Sequence, residues 1–164
     1  MSTLGSHRAN GAHEPLAFSI EPHWIDYNGH LNMARYPMLF DRAIDALIDR
    51  IGLSSEDDHG DTLFAAEAQL RYVRAVYRGD TPTVTTQVLR VDGKRVHTWQ
   101  TMRVEGEIVS TCENLHLCVS RSGDTSRVTA FPPTVLEALE ALAIPLDRWP
   151  NDCGRPIASR MGER

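Results

Sequence analysis

Asp26 and His30 stand four residues apart in the stretch Trp24-Ile25-Asp26-Tyr27-Asn28-Gly29-His30-Leu31-Asn32-Met33-Ala34-Arg35-Tyr36. A carboxylate here can act as a nucleophile or as a general base toward water. An imidazole can orient an acyl group, polarise a carbonyl or shuttle a proton. The stretch runs directly into the most strongly patterned helix of the chain. A helix N-terminus carries about half a positive charge and several unpaired N–H groups, and such groups stabilise a developing oxyanion. A carboxylate beside them suits acyl transfer to water. Asp26 has a second reading as a turn residue that hydrogen-bonds the backbone of Asn28 or Gly29, and local physics alone favours it. His30 could likewise only stabilise the loop. Gly29 offers a conformation or a close approach that a side chain would block.

Glu67 is a second candidate acid, placed within the apolar run Leu63 to Ala68. A carboxylate in a core strand needs a partner or a task. Arg71 lies on the same strand face and could be that partner; contact with substrate is the alternative. There is no glycine-rich phosphate loop, Gly-x-Ser-x-Gly elbow or local Cys–His signature, which weakens kinase, nucleotide-binding and serine-hydrolase readings. The seven histidines show no zinc-type spacing, so no metal and no cofactor are expected. Cys112, Cys118 and Cys153 are odd in number and lack a CxxC. In one strand, Cys112 and Cys118 would lie ~20 Å apart at ~3.3 Å per residue, too far to bond. They read as buried thiols.

The elements that position these residues follow from period and punctuation. Met33, Tyr36, Phe40, Ala43, Ile44, Leu47 and Ile51 form one apolar stripe, which predicts a helix from just after Asn32 to about Ile51. Asn32 is its expected N-cap, Pro37 falls in the first turn and Gly52 stops it. A short strand through Phe18, Ile20 and His23-Trp24 precedes it, limited by Pro22. Strands follow over Leu63–Val73, Val84–Val91, Val96–Val104 and Ile108–Val119. Asp92-Gly93 is a two-residue hairpin signal, with turns at Gly79–Pro82, Glu105–Glu107 and Ser120–Ser126. Thr134–Leu142 is a short amphipathic helix. The class is α+β, one long helix wrapped by an antiparallel sheet of about five or six strands.

The chain has 164 residues, enough for one domain with a core. Residues 1–15 read as a flexible leader, 16–144 as the domain, and 145–164 as a loosely packed tail that Trp149 could pin to a surface. A net charge of -5 argues against a nucleic-acid partner. No apolar run approaches the ~20 residues that cross a bilayer, and Met1 to Glu14 lacks the apolar core of a signal peptide. A cytoplasmic protein with no membrane partner is expected.

Asp26-Tyr27-Asn28-Gly29-His30-Leu31-Asn32, followed by Tyr36 and Phe40-Asp41-Arg42-Ala43, resembles the hotdog-fold acyl-CoA thioesterases of the 4-hydroxybenzoyl-CoA thioesterase type. The likeness runs from about Phe18 to Val119 and includes the Gly79-Asp80 turn. More narrowly, Trp24 to Asn32, Phe40 to Ala43 and Phe131-Pro132-Pro133 resemble thioesterases found beside, or fused to, carnitine dehydrogenases. That group is associated with betainyl-CoA hydrolysis. Met33 departs from the second asparagine of many relatives.

The resemblance implies a homodimer or homotetramer with sites shared between subunits. It casts Asp26 as nucleophile or general base, with His30, Asn32 and Gly29 shaping the site and the Met33 and Ala34 N–H groups binding the thioester oxygen. The phosphates of an acyl-CoA substrate would need local cations, available at Arg71, Arg74, Arg78, Lys94 and Arg95. A quaternary ammonium acyl group would suit aromatic faces, available at Trp24, Tyr27, Phe64, Tyr72 and Trp99. Tyr36 and Glu67 are further substrate-binding candidates. The competing reading is a hotdog domain that senses acyl-CoA without hydrolysing it, which would not need the Asp26 carboxylate. A hydratase or dehydratase would want a differently placed Asp–His pair.

Overall fold

The computed structural model describes residues 14–53, 60–122 and 124–154. Most of the expected leader, the body of the acidic loop and the end of the tail lie outside the described residues. Six strands form one antiparallel sheet: β1 (Leu16–Ala17), β2 (Gly60–Tyr72), β3 (Thr83–Val91), β4 (Arg95–Val104), β5 (Glu107–Ser122) and β6 (Thr125–Val128). Their order is β1-β3-β4-β5-β2, with β6 paired to β5. Among the described residues there are two α-helices, α1 (Arg35–Ile51) and α2 (Pro133–Leu142). The long central helix is therefore accompanied by the short one its own amphipathic pattern predicts.

α1 lies on the inner face of the sheet because its apolar stripe has no other surface to cover. Tyr36, Leu39, Phe40 and Ala43 pack with Val84, Met102, Val109 and Cys112. Further along, Ile44, Leu47 and Ile51 pack with Val88, Val96, Cys118 and, from α2, Val135 and Leu139. All three cysteines are free thiols. Gly52 ends α1 at φ 70°, where its N–H bonds Asp49 and that of Leu53 bonds Ile48, the Schellman arrangement.

Several boundaries differ from expectation. α1 starts at Arg35, with Ala34 as N-cap, because Asn32 is used one turn earlier. Its Oδ1 accepts from the Ala34 N–H and its carbonyl from the Arg35 N–H. The first strand is only Leu16–Ala17, and Pro22–Trp24 is a 3-10 turn, since Pro22 cannot continue a ladder. The Asp92-Gly93 loop is not a two-residue turn. Gly93 lacks a positive φ, and the Asp92 carboxylate closes the loop by accepting from the Lys94 and Arg95 N–H groups. The two-residue hairpin is instead Glu105-Gly106, at φ 50° and 84°. β5 and β6 occupy most of the expected turn at Ser120–Ser126.

Two corrections bear on function. Glu67 is not in a core strand: β2 is an edge that pairs only with β5, and Phe64 to Ala68 are exposed. A register shift at Ala65/Glu67 marks a bulge there. The described start of the tail is not loose. It crosses the outer face of the sheet, where Ile144 and Trp149 pack on Leu89 and Trp99. No helix among the described residues is long and apolar enough to cross a membrane.

Candidate active site

Asp26 sits at the start of a tight loop that returns on itself. Ile25 pairs with Leu31 across it, the Gly29 N–H bonds the Asp26 carbonyl, and the Asp26 N–H bonds the His30 carbonyl. Gly29 takes φ 82° at the reversal, a left-handed conformation that a side chain disfavours. The loop is tied down on both sides. The Asn32 N–H bonds the Trp24 carbonyl, the Leu31 N–H bonds the Val76 carbonyl, and His30 bridges to Tyr77. The catalytic candidates are thus fixed by backbone bonds to the segment after β2.

The Asp26 side chain is only 15% exposed. Its Oδ1 accepts from the Asn28 N–H at 2.8 Å and lies 3.9 Å from His30 Nδ1. The first is the turn bond of the capping reading. The second is too long for a hydrogen bond, so His30 flanks the carboxylate and does not grip it. The His30 ring rests edge-on to Tyr77, 6.5 Å between centroids.

A cavity of about 530 Å³ opens here, lined by Asp26, Tyr27, Asn28, His30, Asn32 and Met33 on one wall and by Tyr36, Tyr72, Val73, Arg74 and Ala75 on the other. Tyr36 and Tyr72 meet edge to face at 5.1 Å, and the Tyr72 hydroxyl donates to the Met33 carbonyl at 3.4 Å. Burial raises the Tyr36 phenol above its ordinary pKa, with nearby Tyr72 and Asp26 adding to the effect. Tyr36 therefore stays a neutral hydroxyl at physiological pH.

Of the expected oxyanion donors, Ala34 is already engaged: its N–H donates to Asn32 Oδ1 at 3.0 Å. The Met33 N–H takes no partner among the described residues and is the donor left at the cavity.

The remaining candidates do not line this cavity. Trp24 is buried, with the Arg35 and Arg42 guanidinium groups 5.9 and 5.8 Å from its ring centre. Phe64 and Glu67 sit on the exposed edge strand. Trp99 is on the outer sheet face with Arg71 6.0 Å from its ring; Arg71 also donates to the Asp152 carbonyl. Nor do the expected cations cluster. Arg74 lines the cavity and lies 3.7 Å from Glu107. Lys94 and Arg95 are beyond the far end of β3, nine residues away along a strand, or ~30 Å at ~3.3 Å per residue. Tyr72, named in the sequence only as an available aromatic face, does line the cavity, and Val73 and Ala75, which no sequence signal marked, join it because the segment after β2 is tied to the loop through His30–Tyr77 and Leu31–Val76.

The profile of the thioesterase-like superfamily matches residues 20–139. This chain belongs to that superfamily. It is a thioester hydrolase with the hotdog fold. It is 39% identical over 126 residues to the betainyl-CoA thioesterase of Pseudomonas aeruginosa, covering 74% of this chain and 78% of that one. It is 34% identical over 121 residues to the L-carnitine dehydrogenase/betainyl-CoA thioesterase of Agrobacterium fabrum, covering 73% of this chain and 25% of that longer one. Among solved structures, a Staphylococcus aureus protein in complex with CoA superposes with TM-score 0.76 at 26% identity, covering 95% of this chain and 99% of that one.

Proposed function

We propose that this chain is an acyl-CoA thioesterase that hydrolyses betainyl-CoA, with Asp26 carrying the reaction. The observation that carries this reading is a largely buried carboxylate on the wall of a cavity at the start of α1, with one oxygen committed to the Asn28 N–H and a free backbone N–H at Met33. The named relatives support the betainyl group. In the general-base form, Asp26 takes a proton from water as the oxygen adds to the thioester carbonyl. The Met33 N–H holds the oxyanion. Collapse expels the coenzyme A thiolate, which recovers the proton from Asp26. In the nucleophilic form, Asp26 attacks the carbonyl and the C–S bond breaks to release the coenzyme A thiolate; water then cleaves the mixed anhydride to the acid and the free Asp26 carboxylate, its proton going to the thiolate. Thiolate is a good leaving group, so neither form needs a strong acid.

A second copy of the chain is part of this reading. Tyr27, Met33 and Tyr77 are 97%, 65% and 56% exposed around the cavity. β2 offers a long unpaired edge carrying Phe64, Ala65 and Ala68, and such edges are normally covered. A homodimer would enclose the site.

The test is hydrolysis of betainyl-CoA beside short, branched, aromatic and long-chain acyl-CoAs, by wild type and Asp26→Asn. Loss of the carboxylate should lower kcat by about 10²–10⁴-fold with little change in stability. Near-normal turnover by the variant would refute the role of Asp26. Binding of acyl-CoA with no hydrolysis by wild type would make the chain a sensor.

A further inference from the structure

Linear spacing predicts no metal site, but the fold brings together three donors that no short motif contains. His97 on β4 and Glu113 on β5 are diagonal neighbours on the outer face of the sheet, where Glu113 pairs with Trp99. Cys153 arrives from the crossing segment of the tail, 40 residues beyond Glu113. His97 Nε2 lies 2.8 Å and Cys153 Sγ 3.2 Å from the same oxygen, Glu113 Oε1. All three donor atoms lie within 4.8 Å of one another. We propose that His97, Glu113 and Cys153 bind a zinc-class divalent ion that ties the C-terminal segment to the sheet.

The donor set fits such an ion in type, charge and size. Imidazole, carboxylate and thiolate are the three kinds of side-chain ligand that zinc takes. One thiolate and one carboxylate balance a divalent cation, so the occupied site is neutral, as its partial burial requires. Zinc bonds of ~2.0–2.3 Å set tetrahedral donor separations of ~3.3–3.6 Å. The present 2.8 and 3.2 Å contacts need to open by less than 1 Å to admit the ion.

The surroundings already hold the ligands in place. The second carboxylate oxygen, Glu113 Oε2, accepts from the Gly154 N–H at 2.8 Å, which leaves Oε1 to face the other donors. The His97 ring packs edge-on against Trp149 at 5.5 Å, and Trp149 Nε1 donates to the Ile144 carbonyl. Such outer contacts orient metal ligands. Without the ion, burial and the bond to Glu113 push the Cys153 thiol up to about 12. Binding must therefore release that proton, and affinity should rise with pH.

Cobalt titration of the full-length protein tests the assignment, since a thiolate–cobalt bond gives an intense near-ultraviolet charge-transfer band. Wild type should take one equivalent with that band, lose it on adding zinc, and gain thermal stability with zinc. Cys153→Ser keeps a donor for Glu113 and so preserves the fold. It should lose the band and bind at least about tenfold more weakly, the loss expected for removing even an outer-shell partner. His97→Ala should weaken binding similarly. No stoichiometric binding by wild type would overturn the site and leave a hydrogen-bonded latch. So would an undiminished band in Cys153→Ser, which would point to Cys112 or Cys118.

Discussion

His116 should make the protein sensitive to acid in a way one substitution removes. It lies on β5, facing α1, and is 4% exposed. Its Nδ1 has no hydrogen-bond partner among the described residues. Burial pushes its pKa down to about 4, against ~6.5 for an exposed histidine. Between those values the unfolded chain binds a proton that the folded chain refuses. Stability therefore rises with pH through this window and falls on acidification. The full shift corresponds to about 3 kcal/mol, of which about 2 kcal/mol is already lost at pH 5. For a chain of this length, that is a fall of roughly 4–8 °C in Tm. The measurement is chemical unfolding of wild type and His116→Gln at pH 7.5 and pH 5. Every other ionisable group is common to the two proteins, so the difference between them isolates His116. The variant should lose about 2 kcal/mol less than wild type on acidification. An equal loss in both would show that the folded protein accommodates a charged His116, and the reasoning from burial would fail.

Substitutions at two other positions test how the site and its floor are held. Gly29→Ala meets no atom within 4 Å but must adopt φ 82°, so its cost is backbone strain alone, about 1–2 kcal/mol. Gly29→Asn should recover part of this, because asparagine visits that region more readily. Thermal unfolding and kcat read both effects, and an unchanged Tm in Gly29→Ala would contradict them. Gln100→Ala removes a fully buried amide that donates to the Phe40 carbonyl and Thr86 hydroxyl and accepts from Asn114. Stranding buried partners costs about 1–3 kcal/mol each, so a total of about 3 kcal/mol or more is expected from urea unfolding. A loss below about 1 kcal/mol would mean that the pocket relaxes or hydrates.

The sequence made the helix legible because its stripe is continuous and its stop is a glycine. It made β3, β4 and β5 legible because branched residues alternate there. What it hid was neighbourhood. Leu63 to Ala68 reads as core by composition, but sheet order places it on an edge, and composition cannot tell a buried strand from one awaiting a partner. Asp92-Gly93 reads as a tight turn, but a register shift between Val88 and Arg90 lies beside it, and the Asp92 side chain closes the longer loop. The tail held no period, since its attachment is made by single groups. Trp149 on His97, Cys153 and Gly154 on Glu113, and the Asp152 carbonyl on Arg71 leave no repeating trace.

The junction before α1 accommodates both readings of Asp26. A capping role and a chemical role are alternatives only for a group with one acceptor. A carboxylate has two oxygens. The Asn28 N–H takes Oδ1 of Asp26 at 2.8 Å, and that bond restrains the rotation of the carboxylate. Holding a reacting group still before substrate arrives removes entropy from the barrier. The same division occurs one turn later, where Asn32 occupies the Ala34 N–H while the Met33 N–H takes no partner among the described residues. In the proposed mechanism, the small polar residues of the turn thus leave one oxygen and one N–H for the thioester. This selection predicts that Asn32→Ala, by freeing the Ala34 N–H, should disturb kcat more than KM, because the oxyanion exists only after attack. A change confined to KM would place Asn32 in substrate binding instead.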